Sequence, residues 1–195
     1  MSRTGRRLRI TGTVQGVGFR PWVYRAARRA GVDGSVRNDS TGVVIEAFGE
    51  AVQIAAFERD LADGRPPAAR VNRIEATSIP PRPVTGFHIV ESGTTADRRV
   101  SIPPDLATCE ACLAELRDPR DRRYGYAFTN CTDCGPRFTI TREVPYDRAQ
   151  TTMAAFVMCE ACRAEYSSPE SRRFHAEHRA PHPVWQGDAA RDVPP

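Results

Sequence analysis

The sequence predicts an α+β fold: a β-α-β-β-α-β sandwich, followed by a small domain organised by cysteines. Three observations carry this. Apolar residues over roughly the first ninety positions switch between strand-like and helical spacing in that order. All six cysteines lie between 109 and 162, in three Cys-x-x-Cys pairs. Between the two regions runs SGTTADRRVSIPP (92–104), polar and proline-ended, as a boundary should be. The predicted division is 1–92 for the sandwich, 93–107 for a linker, 108–185 for the cysteine domain with its second unit incomplete, and 186–195 for a tail.

LRITGTV (8–14) has strand character and is broken by Gly16 and Gly18. PWVYRAARRAG (21–31) then carries apolar residues at helical spacing and stops at Gly31, a good C-cap residue. GSVRNDSTGVVIEAFGE (34–50) reads as two strands around a turn at 39–42, where Asp, Ser and Gly tolerate the geometry. A second amphipathic helix covers 51–62, and strands at 73–79 and 87–91 complete the set around the proline-rich PPRPVTG. The order is that of a ferredoxin-like sandwich with a short final strand, in which the sheet face carrying Leu8, Ile10, Val44 and Ile74 is buried against two helices. The cysteine region has few long apolar runs, so a metal is expected to compensate for its thin core. It also repeats itself: CEACLAE at 109 returns as CEACRAE at 159.

No apolar run is long enough to span a bilayer, and residues 1–30 lack an apolar signal core, so no membrane contact and a cytoplasmic location are expected. The net charge of +4 is carried by arginines dispersed among acids. With no aromatic and basic cluster beside the cysteines, nucleic acid is not an expected partner.

VQGVGFR (14–20) carries the first chemistry. Glycines at 16 and 18, between a strand and a helix start, let backbone N–H groups turn inward as an anion cradle, and Arg20 adds a forked, charged donor. The same glycines also serve plain turn chemistry, and Asn38 could simply bond its own backbone at a strand end. Two separated motifs favour the functional reading. VQGVGFR together with GSVRNDSTGVV resembles the acylphosphatase signature over about residues 6–91. The resemblance implies that Gln15, Gly16, Val17, Gly18, Phe19 and Arg20 hold a phosphoryl group, and that Asn38 orients the attacking water. An acyl phosphate is already activated, so no side-chain nucleophile is needed.

Cys109, Cys112, Cys131 and Cys134 have the spacing of a four-cysteine zinc site with no open position, hence a structural one. Disulfides and a thioredoxin-like redox pair are the competing readings, disfavoured by compartment and by the lack of a βαβ context. Pairing within the first unit is simplest, and a cross-repeat arrangement stays open. The stretch from CTDCGPRF to SRRFHAE (131–177) resembles the zinc-finger region of the HypF carbamoyltransferases, which mature nickel-iron hydrogenases, and the combined likeness covers about 6–177. That family places an acylphosphatase domain before paired four-cysteine fingers. It is implied to hydrolyse carbamoyl phosphate, activate the carbamate with ATP in a YrdC-like domain, and pass the carbamoyl group to a maturation partner as precursor of a cyanide ligand. The ATP-dependent steps would belong to domains outside these 195 residues.

The second finger departs from the pattern. Cys159 and Cys162 should be closed by cysteines at 181 and 184, where Pro181 and Val184 stand. A one-residue shift would set the pair at His182 and Trp185 instead, of which only His182 can be a ligand. His175, His178 and His182 are the alternative nitrogen donors for a mixed second site, and a structural role for His175 competes. The resemblance ends abruptly near Glu177, which suggests a fragment, a truncated paralogue or a shifted reading frame. The reading reached is an acylphosphatase-type hydrolase acting on an acyl phosphate, most simply carbamoyl phosphate, with hydrogenase maturation proteins as partners. Its alternatives are a phosphate-binding or partner-binding zinc module without turnover and a stand-alone acylphosphatase.

Overall fold

The computed structural model describes residues 3–93 and 101–177. Five strands form one sheet: β1 (Arg3–Thr13), β2 (Asp33–Asp39), β3 (Gly42–Glu50), β4 (Arg70–Ile79) and β5 (Phe87–Ile89). Their order is β4-β1-β3-β2-β5, antiparallel throughout except that β5 runs parallel to β2. Helices α1 (Phe19–Ala30) and α2 (Ala51–Asp63) cover one face. This is the predicted sandwich.

β1 begins five residues before the expected position 8, within the polar RTGRR. A central strand gains its backbone ladder from both neighbours, here β3 and β4, whatever its side chains. The arginines are accommodated at the surface, where Arg3 pairs with Asp33 and Arg7 with Glu46. The β2–β3 turn is held by the Asp39 carboxylate, which accepts from the backbone N–H of Thr41 (2.7 Å) and Gly42 (3.1 Å).

The predicted inner face needs two corrections. Leu8 and Ile10 do face the helices, but their register partners on β3 are Ile45 and Val43, so Val44 lies on the opposite side, between Arg9 and Arg37. Side chains alternate with period two, and the expectation was one residue out of phase. Ile74 sits opposite Ile10 on the edge strand β4, where it remains 39% exposed. The helices instead cap the middle of the sheet: Val23, Ala26, Ala27, Ile54, Phe57 and Leu61 close over Leu8, Ile10, Val36, Val43 and Ile45. Each of the larger side chains contributes about 1.5–3 kcal/mol by burial.

The cysteine region carries two short helices, α3 (Glu110–Arg117) and α4 (Glu160–Ser167), each starting one residue after the first cysteine of a repeat. They brace each other reciprocally. Arg122 and Arg123, which follow α3, pair with Glu165 on α4; Arg172 and Arg173, which follow α4, pair with Glu115 on α3. The sequence repeat is therefore also a structural exchange.

Candidate active site and metal centre

The cradle is built where β1 hands over to α1. Gly16 and Gly18 both adopt left-handed backbone, with φ of 70° and 71°, and alternate with Val17 in the manner of an anion-binding nest. Gly18 is also the N-cap of α1, so the helix N-terminus opens onto the loop. Cβ atoms would be strained at these φ values, and they would come within 3.2 Å of the Arg137 Cγ at Gly16 and 3.3 Å of the Thr132 Cβ at Gly18. Val17 and Phe19 point into the core and serve as anchors; any contact they make with a ligand is through backbone.

Arg20 and Asn38 come together at this loop, as the sequence expects. They line a cavity of about 20 Å³ with Gly16, Gly18, Tyr146 and Glu177, room for about one water molecule. The Asn38 Nδ2 donates to the Tyr146 carbonyl at 2.7 Å. That bond fixes the amide, since the flipped orientation would oppose two oxygens. The Asn38 Oδ1 is then buried and has no hydrogen-bond partner among the described residues. An orphaned buried acceptor costs about 1–3 kcal/mol, so a water or ligand donor belongs there.

The roof of the cavity comes from the cysteine region, which no motif in the sequence announces. Arg20 donates from Nη1 to Asp147 (2.5 Å), and from Nη2 to the Tyr146 carbonyl (3.2 Å) and the Glu177 carboxylate (2.9 Å). Arg20 and Glu177 are 7% and 3% exposed, so the pair is desolvated. Burial pushes the Glu177 carboxyl upward, with Arg20 and the Tyr166 hydroxyl opposing it. Gln15 ties roof to floor: its Nε2 donates to the carbonyls of Asp39 (2.7 Å) and Gly42 (2.6 Å), and its Oε1 accepts from the Tyr146 N–H (2.7 Å). Arg137, fully buried, donates to the carbonyls of Gly16, Gly135 and Thr132, each at 2.7 Å. Arg137, Tyr146, Asp147 and Glu177 lie 90 or more residues from the loop in sequence, and no spacing pattern announces them.

His175 is the third roof element. It has φ 51°, packs tilted against Tyr166 and edge-on against Phe174 with ring centroids 4.9 and 4.7 Å away, and lines the cavity. Burial, reinforced by the Arg20 charge, lowers its pKa to about 4, so it is neutral near pH 7.

Cys109, Cys112, Cys131 and Cys134 place their sulfurs within 4.8 Å of one another. Neighbouring separations are 3.6 Å (112 to 134), 3.7 Å (109 to 131) and 3.9 Å (131 to 134). Four sulfurs around a tetrahedral ion at 2.3 Å stand about 3.8 Å apart, so the cluster is compatible with a metal. The Arg172 Nη1 lies 3.0 Å from the Cys112 sulfur, and the Arg122 guanidinium nitrogens lie 3.8 and 3.9 Å from that of Cys162. Among the described residues this is the single metal-capable group of three or more, and His175 is not in one with Cys159 and Cys162. His178 and His182, and the positions 181, 184 and 185, lie outside the described residues.

Comparison with known proteins matches the acylphosphatase family over residues 6–89 and the HypF finger over 108–141 and 158–180. The carbamoyltransferase HypF of Rhodobacter capsulatus is 53% identical over 172 residues, 88% of this chain and 23% of that protein. An acylphosphatase of Thermococcus kodakarensis is 43% identical over 91 residues, 46% of this chain and 99% of that protein. Among solved structures, full-length HypF in a phosphate- and nucleotide-bound form superimposes with a TM-score of 0.88 at 44% identity, covering 92% of this chain and 24% of that one. The chain thus spans about a fifth of the length of its HypF relatives.

Proposed function

The chain belongs to the HypF family as an acylphosphatase domain followed by HypF fingers, and from that premise we propose that it hydrolyses an acyl phosphate, carbamoyl phosphate being the natural one. The observation that carries this reading is the Asn38 Oδ1, buried without a partner in a one-water cavity beside Arg20 and the left-handed glycines. In the reaction the cradle amides and Arg20 hold the phosphoryl oxygens. Asn38 accepts a hydrogen bond from a water whose oxygen bonds to phosphorus as the bond from phosphorus to the acyl oxygen breaks. The products are carbamate and inorganic phosphate, and the displaced proton passes to solvent. Stabilising the charge that develops on the phosphoryl group is the main contribution, which suits a site with no nucleophile.

The metal of the first finger is proposed to be zinc, bound by Cys109, Cys112, Cys131 and Cys134 as a closed structural site; all-sulfur tetrahedral donors favour it. Cys159 and Cys162 are proposed as half of a second site. The division into a sandwich at 1–92 and a finger domain at 108–185, the cytoplasmic location, and a contribution to hydrogenase maturation with partner proteins belong to the same reading; among the described residues no helix is long and apolar enough to cross a membrane.

Phosphate release from carbamoyl phosphate and benzoyl phosphate tests it. Arg20→Ala should abolish turnover and Asn38→Ala should lower kcat by about 10²-fold or more, with the far-ultraviolet circular dichroism unchanged. Turnover retained in Arg20→Ala would refute the assignment.

A further inference from the structure

The roof presents acceptors to the reacting centre. The Tyr146 carbonyl and the Asp147 and Glu177 carboxylates all converge on Arg20, and the neutral His175 stands behind them. The acylphosphatase of Thermococcus kodakarensis is matched over only 91 residues, so a region the length of 108–177 is extra to it. A phosphoryl dianion in the cradle competes with these carboxylates for the Arg20 guanidinium. Asp147 is 24% exposed and can turn to water, but Glu177 is 3% exposed. Its Oε2 accepts from the Tyr166 hydroxyl at 2.7 Å and its Oε1 from Arg20, with the Arg148 backbone N–H as a further donor to the carboxylate, so Arg20 is its charged partner. A buried carboxylate deprived of its charged donor is costly, and the cheapest replacement is an N–H on the part of the substrate that faces the roof.

Resting on the acyl phosphate reading, we infer that Glu177, with the Tyr146 carbonyl beside it, is a specificity-determining group that selects acyl phosphates whose acyl carbon bears an N–H donor. The carbamoyl group, with an amino group in place of a methyl or phenyl, is the smallest that qualifies. An acetyl group is close to it in size and shape but gives the buried Glu177 carboxylate no donor in place of Arg20. Sites built to receive a substrate N–H discriminate strongly against the analogue that lacks it, because the buried acceptor is then left unsatisfied. The finger region thereby acts on the chemistry of a cradle that it does not itself contain.

The test is the ratio of kcat/KM for carbamoyl phosphate over acetyl phosphate, measured on the metal-loaded chain and on Glu177→Met and Glu177→Gln, with metal content and circular dichroism checked for each. The unmodified chain should prefer carbamoyl phosphate by about 10²-fold or more. Glu177→Met, which removes the acceptor, should shrink the ratio at least tenfold, and Glu177→Gln, which keeps an amide oxygen, should retain more of it than Glu177→Met does. Equal use of both substrates by the unmodified chain overturns the inference and leaves the acylphosphatase reading standing. A ratio unmoved in both variants, or a parallel fall for both substrates, likewise overturns it and marks Glu177 as a packing residue. If the unmodified chain hydrolyses neither substrate, the reading beneath the inference fails, and the inference with it.

Discussion

Gln15 uses both ends of its amide, donating to the Asp39 and Gly42 carbonyls and accepting from the Tyr146 N–H. It is 1% exposed, so no water replaces these bonds. Gln15→Leu keeps the volume and strands two carbonyls and an N–H, each at about 1–3 kcal/mol. The expected loss is at least 3 kcal/mol, read as a lower urea midpoint with unchanged slope. Arg20 and Asn38 were singled out through the resemblance of VQGVGFR and GSVRNDSTGVV to the acylphosphatase signature, since on their own residues plain turn chemistry competes at both places. Glu177 and Tyr146 were not. Their roles come from which surface docks on the loop, and a lone Glu near a stretch of arginines carries no sign of a buried partner more than a hundred residues away.

Elements show the same division. The strand and helix order was readable because periodicity is local, whereas the parity of Val43 against Val44 was missed since the two are identical and Gly42 before them carries no side chain to set the phase. The cysteine repeat was readable too, but not its cross-bracing: Glu115 and Glu165, and Arg122 and Arg172, are equivalent residues, so spacing cannot say which arginine meets which helix. Arg172 from the second unit places Nη1 3.0 Å from the Cys112 sulfur of the first. A charged donor at that distance lowers the cost of gathering four thiolates around one ion, and partners of this kind are typically worth 10- to 100-fold in metal affinity. Arg172→Met should therefore weaken zinc binding at the first site by about tenfold or more in a chelator competition. Arg120→Met, at a side chain 91% exposed, should leave it unchanged. Equal affinities in the two variants would reduce the Arg172 contact to surface packing.

At the scale of the whole molecule, the two regions differ in what holds them together. The sandwich has a continuous apolar core running from Leu8 to Phe87, while among the described residues the apolar cluster of the finger region is Cys112, Cys131 and Cys134 with Cys109 against it, and Ile140, Met153 and Phe174 are buried outside it. With the proposed zinc as organiser of the finger region, its removal should loosen that region and leave the sandwich intact. Under a zinc chelator, amide exchange should rise across α3 and α4, and the amides of β1, β2 and β3 should stay protected. The catalytic consequence follows from the geometry. Gly16, Gly18, Arg20 and Asn38 all belong to the sandwich, so hydrolysis of acetyl phosphate that depends on Arg20 should survive metal removal. Glu177 and the Tyr146 carbonyl belong to the roof, so the preference for carbamoyl phosphate should decline as zinc leaves and return when zinc is restored. A metal-free chain that kept its full preference would show that the roof stands without the ion, through the Gln15 and Arg137 contacts alone.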